Sequence, residues 1–221
     1  MKVTVVWFLV CCCICFNGVL GQTPGSPLKD IDGNVYQTVV IGDQIWMQSN
    51  LMVEHFCNGE PILTGADTVI WTNLEYPMMA EIKGDKVLAK KYGYLYNHYT
   101  VKDVRQLCPV GWRVPSDYDW DKLTSVLGGN LVAGGKLKSS VGWGENGVKG
   151  QNTVNFSAIP GGYRYANAMS GLDGMVGFWW SSDLFETGRG WARYINWNGD
   201  QLYRANYELG CGFSVRCVKS N

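Results

Sequence analysis

The sequence predicts an α+β domain built from short antiparallel strands with long irregular loops between them. Three observations carry this reading. The composition sets 28 Gly, 10 Trp and 12 Tyr beside only 17% charged residues, the balance expected of tight turns joining short aromatic strands. Two turn dipeptides, Asp32-Gly33 and Asn198-Gly199, each lie between apolar-alternating runs, a strong short-range hairpin signal. One helix start is well marked at Pro115-Ser116, with Asp119 three residues beyond the Ser N-cap.

The elements follow in order. Residues 1–21 read as an export leader: Lys2 supplies the positive end, Val3 to Phe16 is almost wholly apolar, and Val19-Leu20-Gly21 offers a cleavage site before Gln22. A retained anchor is the rival reading, which would be the chain's one contact with a membrane. Residues 22–27 are expected to be a flexible Gly/Pro/Ser/Thr lead-in. Leu28 to Tyr36 then forms a hairpin about Asp32-Gly33, and Val35 to Ile41 alternates with a strand's period of two. Ile45-Trp46-Met47 resumes the strand. Glu54 to Lys91 reads as loops with little regular structure, and Tyr92 to Asn97 as an aromatic strand-like run. The helix from Ser116 buries Trp120, Leu123 and Leu127 and stops at Gly128-Gly129. Beyond it come strands at Phe156–Ile159 and Phe178–Ser182, a turn at Pro160–Arg164, a hairpin of 191–197 with 201–205, and a last strand over 212–218.

Roughly 200 residues past the leader can bury one core without division into two domains. Without Lys2 the chain carries 18 basic and 19 acidic residues. No basic block stands out, which argues against a nucleic-acid partner. Four cysteines remain after the leader: Cys57, Cys108, Cys211 and Cys217. An even number in an exported chain favours two disulfides. Three pairings are open, and no Cys-x-x-Cys pair suggests zinc.

A set of motifs carries a family resemblance. In order they are Asp30-x-Asp32-Gly33-Asn34-x-Tyr36, Trp46-Met47-x-x-Asn50-Leu51 and Tyr92-Gly93-x-Leu95-Tyr96-Asn97. Next come Cys108-Pro109-Val110-Gly111-Trp112-Arg113-Val114-Pro115-Ser116 and Gly135-Lys136-Leu137-Lys138. The set closes with Phe156-Ser157-Ala158-x-Pro160-Gly161-Gly162-Tyr163-Arg164, Trp179-Trp180-Ser181-Ser182 and the Cys217 ending. Together they resemble the Fibrobacter succinogenes major paralogous domain over residues 28–219. That resemblance implies a C-type-lectin-like fold with two helices, a sheet in which N- and C-terminal strands meet, and loops carrying any ligand site. It also implies a bond from Cys108 to Cys217, leaving Cys57 with Cys211; the alternative pairs Cys57 with Cys217 and Cys108 with Cys211. The family implies no settled activity.

Metal and catalytic readings are weak on these residues. Trp197-Asn198-Gly199-Asp200 carries an extra Gly against the calcium-holding Trp-Asn-Asp of sugar-binding lectins, and Glu60-Pro61 is followed by Ile62. Asp30, Asp32 and Asn34 alternate like a calcium loop, yet Ile41 stands where the closing Glu is needed. No metal and no cofactor is expected. His55 and His98 are the only histidines, no hydrolase elbow or phosphate loop occurs, and Asp117, Asp119 and Asp121 suit a helix first turn. A remote alternative is a copper oxidase like the formylglycine-generating enzymes, through Cys211 and Cys217. An extended segment would hold these two roughly 20 Å apart, whereas copper needs both on one ion.

The expected function is therefore an exported, secreted or cell-surface binding module for an extracellular glycan or protein. The alternative is a structural or interaction module of the cell envelope. The candidate binding residues are Tyr163, Arg164, Tyr165, Trp191, Trp197, Asn198 and Asp200, because flat rings beside amides and charges suit sugar or peptide ligands. Trp179 and Trp180 are adjacent on a strand and face opposite ways, so at least one is core.

Overall fold

The computed structural model describes residues 25–64, 71 and 75–220; the leader expected over 1–21 lies outside them. Strand β1 (Gly25–Lys29) pairs antiparallel with β2 (Val35–Ile41). The lead-in expected through residue 27 is thus already strand from Gly25. Pro27 is tolerated because β1 is an edge strand with a bulge between Gly25 and Leu28. The Asp32-Gly33 turn forms as expected, with Gly33 left-handed (φ 87°). The Asp30 carboxylate fixes it, accepting from the Asn34 N–H at 2.9 Å and the Tyr36 hydroxyl at 2.6 Å.

β2 continues into β3 (Gln44–Met47). The stretch expected to be loops contains β4 (Leu63–Thr64), β5 (Met78–Ala80), a 3₁₀ turn at Ile82–Gly84 and helix α1 (Lys86–Tyr92). Helix α1 leaves only a faint pattern because it buries just Ala89 and Tyr92. The cap makes it: the Asp85 side chain accepts from the Val87 and Leu88 N–H groups, and Gly93 (φ 82°) ends it. β6 (Leu95–Tyr96) and a one-turn α2 (His98–Val101), capped by Asn97, follow.

β7 (Trp112–Arg113) leads into α3 (Asp117–Val126), which has the expected capping box between Ser116 and Asp119. Trp120, Leu123 and Leu127 are buried as read. A further helix, α4 (Asn130–Leu137), follows at once, so the described residues hold four short helices rather than two. Two glycines in its interior weaken its helix propensity. They are there for packing: a Cβ at Gly134 would stand 2.7 Å from the Asp200 and Gln201 carbonyls.

β8 (Tyr163–Arg164) and β9 (Ser170–Gly171) form a small hairpin, and β10 (Val176–Glu186), β11 (Arg189–Asn196) and β12 (Leu202–Glu208) a three-stranded antiparallel sheet. Phe156–Ile159 is not a strand; only Ala158 bridges to Lys138, although Phe156 and Ala158 are fully buried. Nor is Asn198-Gly199 a two-residue turn, because the last β11–β12 pair is Ile195 with Leu202, which leaves six residues between the paired positions. Its carbonyls are used by α4. The Asp200 oxygen accepts from Gly135 N–H at 3.0 Å, and the Gly199 and Trp197 oxygens accept from buried Lys138 Nζ at 2.7 and 3.2 Å.

The last strand shrinks to β13 (Val218–Lys219), preceded by isolated bridges from Gly212, Phe213 and Ser214. β13 lies between β3 and β7 in a sheet ordered β1-β2-β3-β13-β7, so strands from both ends of the chain meet. Cys108 and Cys217 are disulfide-bonded with Cα atoms 6.0 Å apart. Cys57 and Cys211, expected as the second pair, are free. The Cys57 thiol donates to the Cys108 carbonyl at 2.7 Å, while the Cys211 thiol is buried against the Ala166 backbone.

Two large apolar cores flank β10, with Trp180 in one and Trp179 in the other. At their junction Arg216 is wholly buried. Its guanidinium lies 4.1 Å from the Phe156 ring, donates to the Phe156 carbonyl and to Asn50 Oδ1, and pairs with no carboxylate among the described residues. Burial pushes its pKa down to about 9.

Candidate functional site

The β10–β11–β12 sheet sorts its side chains by alternation onto two faces. One face carries Phe178 and Trp180 from β10, Tyr194 from β11, and Tyr203 and Tyr207 from β12. Tyr203 lies against Tyr194 with ring centres 4.6 Å apart and planes 7° from parallel. Tyr194 stacks on Phe178 at 5.1 Å, and Phe178 on Phe213 at 4.7 Å. Tyr207 meets Phe178 edge-on, as does Tyr163 from β8, and Tyr163 packs on Tyr165 at 4.3 Å. The inner rings are buried. The five tyrosines are half-buried or, for Tyr165, exposed, so a buried aromatic stack ends in a surface of phenol rings.

At the Tyr207 end of β12 this surface opens into a cavity of about 490 Å³ lined by Tyr165, Asn167, Met169, Arg189, Tyr207 and Glu208, with Cys211 against it. Arg189 is held in place by Asn206, donating to its Oδ1 at 2.6 Å and its backbone oxygen at 2.9 Å. Burial raises the pKa of Tyr163 and Tyr207 to about 12, helped by the Tyr165 hydroxyl for the first and nearby phenols for the second. Burial likewise pushes the Cys211 thiol up to about 11. Near neutral pH the tyrosine face therefore offers neutral rings and hydroxyls, while Arg189 and Glu208, which alternation places on the other face of the sheet, bring charge to the cavity at its end.

The structure divides the residues expected to bind. Tyr163 and Tyr165 stand together on this face. Arg164, between them, turns inward, is 6% exposed and lies 4.7 Å from the Trp71 ring; strand alternation makes it a packing residue. Trp191 is on the opposite face of the sheet, covered by Arg204 at 3.3 Å and edged by Phe185 at 4.7 Å. Trp197 packs on the second core. Asn198 is exposed in the loop beyond it, and the Asp200 carboxylate is folded against Gly135 of α4. These last four do not join Tyr163 and Tyr165 in one site. The missed members are Tyr194, Tyr203 and Tyr207 on the face, with Arg189 and Glu208 at the cavity. The signal for the three tyrosines was the alternation Tyr203-x-x-x-Tyr207 opposite Tyr194, legible only once the hairpin register is known.

The other polar groups have structural employment. Asp117 binds Arg193 at 2.6 Å and Arg204 at 2.7 Å, Asp121 binds Arg193 at 2.7 Å, and Asp119 binds Arg113. Asp32 accepts from the Glu54 N–H at 2.6 Å and pairs with His55 at 2.5 Å. His98 sits edge-on to Trp180, with Nε2 3.0 Å from the Ser181 carbonyl, and burial lowers its pKa to about 4. Cys217 is tied to Cys108, so the Cys211–Cys217 thiolate pair needed for a copper oxidase is not present.

A family model for the Fibrobacter succinogenes major domain matches residues 39–219. No curated protein and no solved structure matches the chain.

Proposed function

Because the chain belongs to the Fibrobacter succinogenes major domain family, whose resemblance carries no settled chemistry, we propose a function from the site itself. The protein is an exported binding module, secreted or held at the cell surface, that takes a neutral glycan on the tyrosine face. The observation that carries this reading is the shared face of Tyr163, Tyr165, Tyr194, Tyr203 and Tyr207, half-exposed on a rigid stacked base. At the outer end of the stack Tyr203 offers a flat apolar face to the C–H face of a sugar, and the hydroxyl edges of the stacked rings bond sugar hydroxyls with little side-chain entropy to lose. Export is supported by the leader pattern and by a buried disulfide, a bond that persists in oxidising compartments. The fold is read as C-type-lectin-like, supported by the meeting of first and last strands and by the bridge from the Cys108 segment to β13.

A second reading, a protein-interaction module of the cell envelope, has one observation in its favour. Met169 is exposed and lines the same cavity as Tyr165, and adaptable apolar side chains suit polypeptide partners. Binding of the secreted protein to a panel of immobilised polysaccharides decides between them. The glycan reading expects retention by at least one polysaccharide, lost in Tyr194→Ala and Tyr203→Ala variants of unchanged melting temperature. Retention by none, or equal retention of both variants, refutes it.

A further inference from the structure

The edges of the five-stranded sheet and of the β10–β11–β12 sheet are guarded, with one exception. β1 carries Pro27, exposed Lys29 and a bulge between Gly25 and Leu28, three devices that keep an edge strand from pairing. β7 is an edge of only two residues, and the far side of β10 is bridged by Gly162 and Ser214. β12 has none of this protection. It runs seven residues from Leu202 to Glu208 in unbroken register with β11, without Pro or Lys. Among the described residues, no backbone N–H from 202 to 208 finds an acceptor outside the β11 ladder. The outward half of these donors is thus free to pair with another strand.

The charges of β12 identify the partner. Arg204, Asn206 and Glu208 share one face by alternation. A strand that reads positive, neutral, negative is its own complement when reversed. We propose that β12 is a homodimer edge, at which two copies pair antiparallel about a two-fold axis at Asn206. Arg204 of each copy then stands opposite the partner's Glu208, a favourable cross-strand pair made twice. Both groups are available. Arg204 gives Nε and Nη2 to Asp117, which leaves Nη1 without a bond among the described residues. The Glu208 carboxylate is exposed, with Arg189 opposite it on β11, so the partner's Arg204 places it between two cations. Asn206 accepts from Arg189 at its Oδ1, which keeps its NH₂ free to donate across the axis. Tyr207 falls opposite the partner's Ala205, too small a side chain to obstruct it. Such a contact closes on itself, so assembly stops at two. A strand edge is smaller than the roughly 1,200–2,000 Å² of standard interfaces, so the dimer forms reversibly as concentration rises. The proposal is independent of the glycan reading, although pairing sets two tyrosine faces side by side on one continuous sheet.

Sedimentation equilibrium of the exported protein over a wide concentration range tests this, and a monomer–dimer equilibrium weakened by salt is expected. Glu208→Lys sets like charges opposite each other and should raise the dissociation constant tenfold or more at unchanged melting temperature. Glu208→Gln, which only removes the attraction, should raise it less. Register is read by oxidative cross-linking on a Cys57→Ser background, which removes the partly exposed free thiol. Asn206→Cys should form an intermolecular disulfide at the axis. Ala205→Cys, set opposite the partner's Tyr207, should cross-link far more slowly. A dimer as tight with Glu208→Lys, or one that cross-links through Ala205→Cys in preference to Asn206→Cys, overturns the proposed edge. A chain that stays monomeric at every concentration, including one whose β12 edge takes a foreign extended peptide instead, overturns the second copy as its occupant.

Discussion

Removing the Cys108–Cys217 bond should cost more than any other single change that leaves the backbone alone. The bond closes a loop of 109 residues, worth about 5 kcal/mol in the chain-entropy model. Typical domain stabilities are only about 5–15 kcal/mol, so a third or more of the total rests on one covalent link. The perturbation is best made as Cys108→Ala, Cys217→Ala and the double change. Both sulfurs are buried, and serine would add the separate cost of burying a hydroxyl, about 1–3 kcal/mol. Each should be built on Cys57→Ser, because the Cys57 thiol touches the Cys108 carbonyl and could re-pair with a freed Cys108. Urea unfolding should show both single changes costing about 4–5 kcal/mol and the double change little more. The urea slope should steepen as the uncrosslinked denatured chain exposes more surface. In a scan the melting temperature should fall by roughly 10–20 °C. Losses under 1 kcal/mol, or additive single losses, would refute the argument that closure of this loop is what the bond contributes.

Other outcomes follow from the polar framework. Burial alone would raise the Asp119 pKa, but bonds from Arg113 and Ser116 outweigh it and hold it at about 2, against an ordinary 3.8. The resulting stability is fully present above about pH 5 and is lost as pH falls from 4 through 2; an acid titration of unfolding should lose about 2 kcal/mol there, and Asp119→Asn should flatten that limb. Asp117→Ala strips the buried Arg193 and the neighbouring Arg204 of a shared carboxylate and should cost about 3 kcal/mol, whereas Asp121→Ala, at an exposed partner, should cost under 1 kcal/mol. Gly134→Ala should destabilise by about 1–3 kcal/mol in spite of alanine's better helix propensity, because the added methyl meets two loop carbonyls; a stabilised variant in calorimetry would contradict the close contact.

Local chemistry made some of this fold legible. The Ser116–Asp119 capping box, the Asp32-Gly33 turn and the alternation of β2 are each written in a few neighbouring residues, and each forms. Helices α1 and α4 were obscured for opposite reasons: the first buries only two side chains, and the second carries glycines required by a contact with residues 200 and 201. The same contact explains why Asn198-Gly199 failed as a tight turn. The candidate site was half visible. Tyr163 and Tyr165 are close in sequence, but Tyr194, Tyr203 and Tyr207 share a face only through a strand register that the sequence does not display. Trp191 and Trp197 drew attention as large rings, although size alone does not distinguish a ligand platform from a lid over a salt bridge or a core. The free Cys57 and Cys211 show the limit of counting: an even number predicts pairing, and only geometry denies it.

The position of β13 between β3 and β7, bonded through Cys217 to Cys108, also determines how the domain would answer tension. A pull on residues near the two ends reaches the covalent bond before it reaches the interior of the second half. Residues 108–217, with the β10–β11–β12 sheet and its tyrosines, are shielded from the load. Only the chain from residue 25 to residue 108 can pay out, roughly 280 Å at full extension, after which the module becomes inextensible. Were the domain anchored at one end, the segment bearing the tyrosines would carry no load while the first half unravelled, yet its core would lose the packing supplied by Leu51, Phe56 and Tyr96. Stretched singly in a force spectrometer, the oxidised protein should show that shorter release, and the reduced protein more than twice as much.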